Sequence, residues 1–217
     1  MLQIEYREGN YDYVIAEGAK LLDVASETTR PDLERIIAES YFVKGDYANA
    51  IRYISEYPAT LMGRQENYIL GYSLYRMARY KEAIAPLAKV CGANDALTQN
   101  AAFHLGDCYL RIKDKEHAAD AFAMAAVDGF NDNISEEALL NYGRLKFELG
   151  GGRFNEAVNV LQSYLQRYPG TKHEPEVKAL LIAAYYNSKD YDAAYAAIKE
   201  YPNPDSEIRA AQQKVAV

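Results

Sequence analysis

Tyr68, Tyr72, Tyr75 and Arg79 hold the residue types and spacing in this chain best suited to chemistry. Spaced i, i+4, i+7 and i+11, they fall on one face of a helix, with Arg76 beside them. Leu70, Leu74 and Met77 form a second apolar stripe on a different face, suited to a core. A helix with two such faces is either buried on both or presents one to a ligand. Tyrosine and arginine carry binding energy at interfaces, through apolar area with a polar tip and through forked donors. The chemistry they offer is recognition of an apolar and acidic partner. Packing of helix against helix accounts for the same tyrosines equally well, and the sequence leaves both readings open.

Bond-making chemistry finds no comparable pattern. His104, His117 and His173 share no metal-ligand spacing. His117 and His173 lie in polar stretches and are expected to be solvated; His104, beside Phe103, is expected to pack as an ordinary helix residue. Glu136-Glu137 stands where a helix begins and favours its dipole. Gly150-Gly151-Gly152 lacks the Lys and Ser/Thr of a phosphate-binding loop. Cys91 and Cys108 are too few for a disulfide framework and read as buried free thiols on apolar helix faces. The reading is a non-enzyme with no catalytic residue, metal or cofactor.

The net charge is −7, divided as −3 for residues 1–112 and −4 for 113–217. No basic stripe exists for a phosphate backbone, so nucleic acid is not an expected partner. With 49% apolar and 25% charged residues the chain is not disordered, and no apolar run of about 20 residues could span a membrane. A soluble protein is expected. Met1-Leu2-Gln3-Ile4-Glu5-Tyr6-Arg7 has neither the basic nor the apolar region of a signal peptide.

The elements that must position these side chains are repeated. Gly45-Asp46-Tyr47-Ala48-Asn49-Ala50-Ile51 returns in degraded form, anchored at positions 11, 47, 80, 115, 154 and 191, at intervals of 36, 33, 35, 39 and 37 residues. That period marks a helical solenoid whose units bury their apolar faces by stacking on neighbours. Each unit reads as two antiparallel helices. In the second, the first helix starts at Pro31 and stops at Gly45, where a left-handed residue is wanted. Gly71, Gly106, Gly143 and Ala38 let first helices approach closely, and Ala50, Ala83, Ala118, Ala157 and Ala194 do the same for second helices. Val14 and Ile182 depart from the pattern, so looser or shifted packing is expected there. Pro86 is expected to kink its helix.

These positions resemble the tetratricopeptide repeat (TPR) along almost the whole chain: a small residue, an aromatic three later, an alanine opening the second helix, a large apolar residue beyond it and a closing proline. The resemblance implies an all-α, right-handed superhelical solenoid, one continuous array over 1–217 of about five full repeats. Its units are placed at about 1–27, 30–58, 64–92, 95–129, 134–169 and 173–202, with a partial one at 204–217. Both ends read as cut, so an excised piece of a longer protein is expected, able to stack end to end on missing repeats. The Tyr57-Pro58, Tyr168-Pro169 and Tyr201-Pro202 endings are similar to bacterial envelope TPR proteins, such as outer-membrane assembly lipoproteins and the Tol–Pal coordinator. That implies an envelope or periplasmic setting, with the cytoplasm left open.

In TPR proteins the first helices line a concave groove. The resemblance therefore implies a groove of Tyr68, Tyr72, Tyr75, Arg76 and Arg79 from the third unit, joined by Arg35 and Phe42 from the second. Phe103, Asp107 and Arg111 of the fourth unit and Arg144 of the fifth complete it. Such a groove would bind a protein partner as a peptide or helix. The Lys and Asn clamp of chaperone-binding repeats is absent, since Arg35, Glu39, Val43, Tyr68, Tyr72 and Arg76 stand at its positions. A purely architectural spacer and an aromatic groove that stacks glycans are the alternatives.

Overall fold

The computed structural model describes residues 1–127, 129–151 and 154–200, and every regular element among them is a helix. The chain divides into two compact units, the first ending at Lys113 and the second beginning at Asp114. The first holds α1 (Leu2–Arg7), α2 (Tyr11–Leu22), α3 (Arg30–Val43), α4 (Tyr47–Glu56), α5 (Arg64–Arg76), α6 (Tyr80–Val90) and α7 (Ala96–Arg111). The second holds α8 (Lys115–Ala125), α9 (Asp132–Glu148), α10 (Phe154–Arg167), α11 (Glu174–Asn187) and α12 (Tyr191–Lys199). Gly152 of the glycine triplet, Arg153, the Tyr201-Pro202 ending and the partial repeat at 204–217 lie outside the described residues.

One turn chemistry joins the helix pairs. Gly9, Gly45, Ala78, Lys113 and Lys189 each have positive φ and each precede the next helix by two positions. Glycine takes that conformation without the Cβ clash that Ala78, Lys113 and Lys189 must bear. The intervening residue then caps the helix: Asp46, Asp114 and Asp190 accept from the backbone N–H of Asn49, His117 and Ala193.

The core follows the small residues of the repeat. Ala50, Ala83, Ala118, Ala157 and Ala194 are all fully buried, as is Ala38. At Gly71 an added Cβ would stand 2.8 Å from Leu87 Cγ and 3.0 Å from its backbone N; at Gly143 it would meet Leu161 Cδ2 at 2.9 Å. Ile36 and Ile37 pack with Val14 in one cluster, and Ile54 packs with Ala38 and Ile69 in the next. Val14 and Ile182, where looser or shifted packing was expected, are both closed from solvent. Ile182 packs against Ala179, Ala197 and Ile198. Helix α6 runs through the buried Pro86 to Val90 as one element.

Met77 departs from the core stripe assigned to it. Helix α5 ends at Arg76, and Met77 is its exposed cap. Arg64, at the start of that helix, fixes its position. The guanidinium donates to both oxygens of Asp95 at 2.7 and 2.9 Å, to Thr98 Oγ1 at 2.7 Å and to the Val90 carbonyl at 2.9 Å. α5 is thereby tied to the start of α7, and Arg64 holds the Asp95 carboxyl well below the usual carboxylate range.

Candidate functional site

Three first helices of the first unit, α3, α5 and α7, set a row of rings side by side. Phe42 meets Tyr68 and Tyr72 edge-on at 6.0 and 5.6 Å, and Tyr68 stacks on Tyr72 at 5.6 Å. Tyr72 continues to Tyr75 at 6.1 Å. From α7, His104 lies 4.8 Å from Tyr72 and 4.6 Å from Tyr75, with Phe103 edge-on to it at 5.7 Å. The tyrosines are half-buried, so each ring both packs and shows a face.

Hydroxyl groups separate the tyrosines into two kinds. Tyr68 donates to Asn100 Oδ1 at 2.7 Å and Tyr75 to Asp107 Oδ2 at 2.9 Å, each linking α5 to α7. Burial pushes the Tyr68 phenol up to about 12; burial and the Asp107 carboxylate raise Tyr75 as well. Tyr72 instead accepts from the exposed Arg76, whose guanidinium reaches it at 3.2 Å and Tyr47 at 2.9 Å. Arg76 also lies 4.7 Å from the centre of the Tyr47 ring.

Arg111 closes the row at its far end. It pairs with Asp107 at 3.4 Å and stands 5.6 Å over the Tyr80 ring, which itself lies 6.0 Å from Tyr75. Phe42, Tyr68, Tyr72, Tyr75, Arg76, Phe103, Asp107 and Arg111 thus form one set. Arg79 does not join it. It follows the left-handed Ala78, and its guanidinium is held by Glu82 at 2.8 and 2.6 Å. Arg35 pairs along its own helix with Glu39 at 2.7 Å. Arg144 lies in the second unit, where it grips both oxygens of Glu176 at 2.5 and 2.6 Å.

Three members of the row were not among the residues singled out for the groove. Tyr47 and Tyr80 open second helices, and the tight turns before them bring their rings against the ends of the first helices. His104 is the third. Among the described residues its Nδ1, sealed from solvent, has no hydrogen-bond partner, and burial depresses its pKa to about 4. The imidazole is therefore neutral at ordinary pH. His173 is also not solvated as expected. Only 18% of its side chain is exposed, and Nε2 stands 3.3 Å from Glu137. Cys108 is fully buried, with its thiol pushed up to about 12, whereas Cys91 is only half-buried. Among the described residues no His/Cys/Asp/Glu group is arranged to hold a metal, and no helix is long and apolar enough to cross a membrane.

Residues 68–134 match the tetratricopeptide repeat family model, and residues 135–207 match that of an outer membrane lipoprotein family, YfiO. No curated protein sequence matches the chain. Among solved structures it is similar to YrrB, described as a TPR protein with an unusual peptide-binding site. The TM-score is 0.62 at 15% identity, covering 91% of this chain and 97% of that one. It is similar also to MamA, with a TM-score of 0.55 at 19% identity over 87% of this chain and 95% of that one. A second MamA structure gives 0.60 at 18% identity, over 80% and 91%.

Proposed function

Because the chain is a protein of tetratricopeptide repeats, we propose that it is a non-catalytic interaction scaffold of the bacterial envelope, docking a peptide or helix on the ring row of its first unit. The observation that carries this reading is Tyr72 with Arg76: a half-exposed ring at the middle of the row, topped by an exposed guanidinium. Apolar side chains of the partner would lie along Phe42, Tyr72 and Phe103, while an acidic group would be received by Arg76. The peptide-binding site for which YrrB is described supports the docking, and the outer membrane lipoprotein match supports the envelope setting.

The test is capture from a bacterial envelope extract by the intact chain and by a Tyr72→Ala, Arg76→Gln double variant, with helicity compared by circular dichroism. A partner retained at least tenfold better by the intact chain is the expected result. Equal capture by two equally helical chains overturns the reading. One observation favours the architectural alternative for part of the row: Tyr68 and Tyr75 spend their hydroxyls on α7. On that alternative, the double variant keeps every partner, and only Tyr68→Phe and Tyr75→Phe have an effect, on stability alone.

A further inference from the structure

Arg76 and Arg111 hold equivalent places one repeat apart. Each is the last residue of its first helix, α5 or α7, and each lies over the tyrosine that opens the preceding second helix. Arg76 stands 4.7 Å from the centre of the Tyr47 ring and Arg111 5.6 Å from that of Tyr80. They differ four residues earlier in the helix. Asp107 occupies that position for Arg111 and pairs with its Nε at 3.4 Å, whereas Tyr72 occupies it for Arg76. The repeat supplies a carboxylate to one arginine and a phenol to the other.

Arg76 is nevertheless held in place, because its Nη1 donates to both the Tyr47 and the Tyr72 hydroxyl, at 2.9 and 3.2 Å. Among the described residues its Nε and Nη2 have no acceptor, and no carboxylate pairs with it. That edge is the one this chain uses elsewhere to grip both oxygens of a carboxylate. Arg79 takes Glu82 on Nε and Nη2 at 2.8 and 2.6 Å, and Arg144 takes Glu176 on the same pair at 2.5 and 2.6 Å. Arg52 is exposed and also lacks a carboxylate, but a ring at 5.5 Å is all that restrains it among the described residues. Two hydroxyls and a ring fix Arg76 beforehand, so closing its fork costs less rotamer freedom.

The rings continue on both sides of this point, from Tyr72 to Tyr68 in one direction and to Tyr75 in the other. A peptide lying along the row therefore meets Arg76 in mid-course, with residues still to place either way. We propose, resting on the docking stated above, that the partner is recognised by an internal Asp or Glu side chain. Its two carboxylate oxygens accept from Nε and Nη2 of Arg76, and the apolar residues on either side of it lie on the faces of Tyr68 and Tyr75.

The test uses three peptide libraries, each with a fixed central residue flanked by random Leu, Val, Tyr and Ser. One has a central Glu with both ends blocked, one a central Gln with both ends blocked, and one a central Gln with a free terminal carboxylate. Retention on the immobilised full chain is compared with that on Arg76→Gln, Arg76→Lys and the control Arg52→Gln, all checked for equal helicity. The central-Glu library should be retained about tenfold better than its Gln counterpart, and Arg76→Gln should erase that preference. Arg76→Lys should restore only a minor part of it, since an ammonium offers no fork, and Arg52→Gln should leave it intact. Equal retention of the two blocked libraries, both weakened by Phe42→Ala, overturns the carboxylate contact and leaves the docking standing. No retention of any library overturns both. A preference for the free terminus makes Arg76 a chain-end receptor and overturns the internal residue. Full rescue by Arg76→Lys, or an equal loss in Arg52→Gln, reduces the contact to diffuse charge and overturns the fork.

Discussion

The first helices of the two units are joined by different chemistry at the same sequence separation. In the first unit, Tyr68 reaches Asn100 and Tyr75 reaches Asp107, each 32 residues on. In the second, Arg144 reaches Glu176, also 32 residues on, and His173 stands against Glu137. One seam is made of rings with their hydroxyls turned to the neighbour; the other is made of ions. Rings bury area and still present faces to a partner, whereas a bidentate ion pair uses its own recognition groups. The same backbone spacing therefore carries half-exposed rings in one unit and closed ion pairs in the other.

The largest expected consequence is a difference in acid sensitivity. His104 titrates near 4 in the folded ring seam, below its ordinary value of about 6.5, because burial disfavours its charged form; Asp107 opposes the shift and Arg76 adds to it. Its folded pKa is depressed, so the unfolded chain binds more protons between these values. Stability is full above about pH 6.5 and is lost as the pH falls towards 4, by about 3 kcal/mol across that window. Glu176 in the ion seam is also depressed, chiefly by its hydrogen bond from Arg144, but its contribution is lost only below the ordinary carboxylate range. His117 works in the opposite sense, since Asp114 raises its pKa and its contribution is present in acid. Urea melts at pH 7 and pH 4.5 should show a steep loss in the intact chain and a much shallower one in His104→Gln. Equal slopes would mean that His104 is solvated when folded.

A smaller contrast lies beneath the two seams. A Cβ at Gly71 would press on Leu87 Cγ and on the Leu87 backbone N, which cannot move without shifting α6. At Gly143 it would meet only the tip of Leu161 below 3.4 Å, with Val160 Cγ1 at 3.5 Å. Replacing a helical glycine with alanine gains about 1 kcal/mol of propensity. Gly71→Ala should still cost about 2 kcal/mol net, because overpacking against backbone is not relieved by a rotamer change. Gly143→Ala should be close to neutral. Melting temperatures of the two variants check this, and similar losses in both would show that Leu161 is as immovable as the α6 backbone.

The repeat was legible because its small residues answer a packing demand that recurs every unit: the alanines that open second helices are all at zero exposure. The ring row was legible for α5 only while the helix lasted. Counting i, i+4, i+7 onward to Met77 and Arg79 ignored a stop. Ala78 adopts positive φ with no glycine to announce it, so both residues leave the helix and its faces. His104 was not legible in its role, since its surroundings come from Tyr72 and Tyr75 about 30 residues earlier. His173 misled for the same reason: its polar sequence neighbours say nothing of Glu137 on α9.

The finest distinction between the seams is their response to salt. Tyr75→Phe removes one hydroxyl bond, and Glu176→Gln removes one charge from a pair; each should cost about 1 kcal/mol. Arg144 and Glu176 are 35% and 33% exposed, so their attraction is partly screened already and their pair is discounted accordingly. Raising NaCl from about 0.05 to about 0.5 M should shrink the Glu176→Gln loss by roughly half, since the Debye length falls below the scale of the surrounding charges. The Tyr75→Phe loss should hardly change, because desolvation and hydrogen-bond geometry, rather than long-range attraction, set its size. Equal salt dependence of the two variants would reduce the ring seam to a charge contact between Asp107 and Arg111, with the phenol incidental. A Glu176→Gln loss that ignores salt would make the Arg144 fork a shape fit rather than an ion pair.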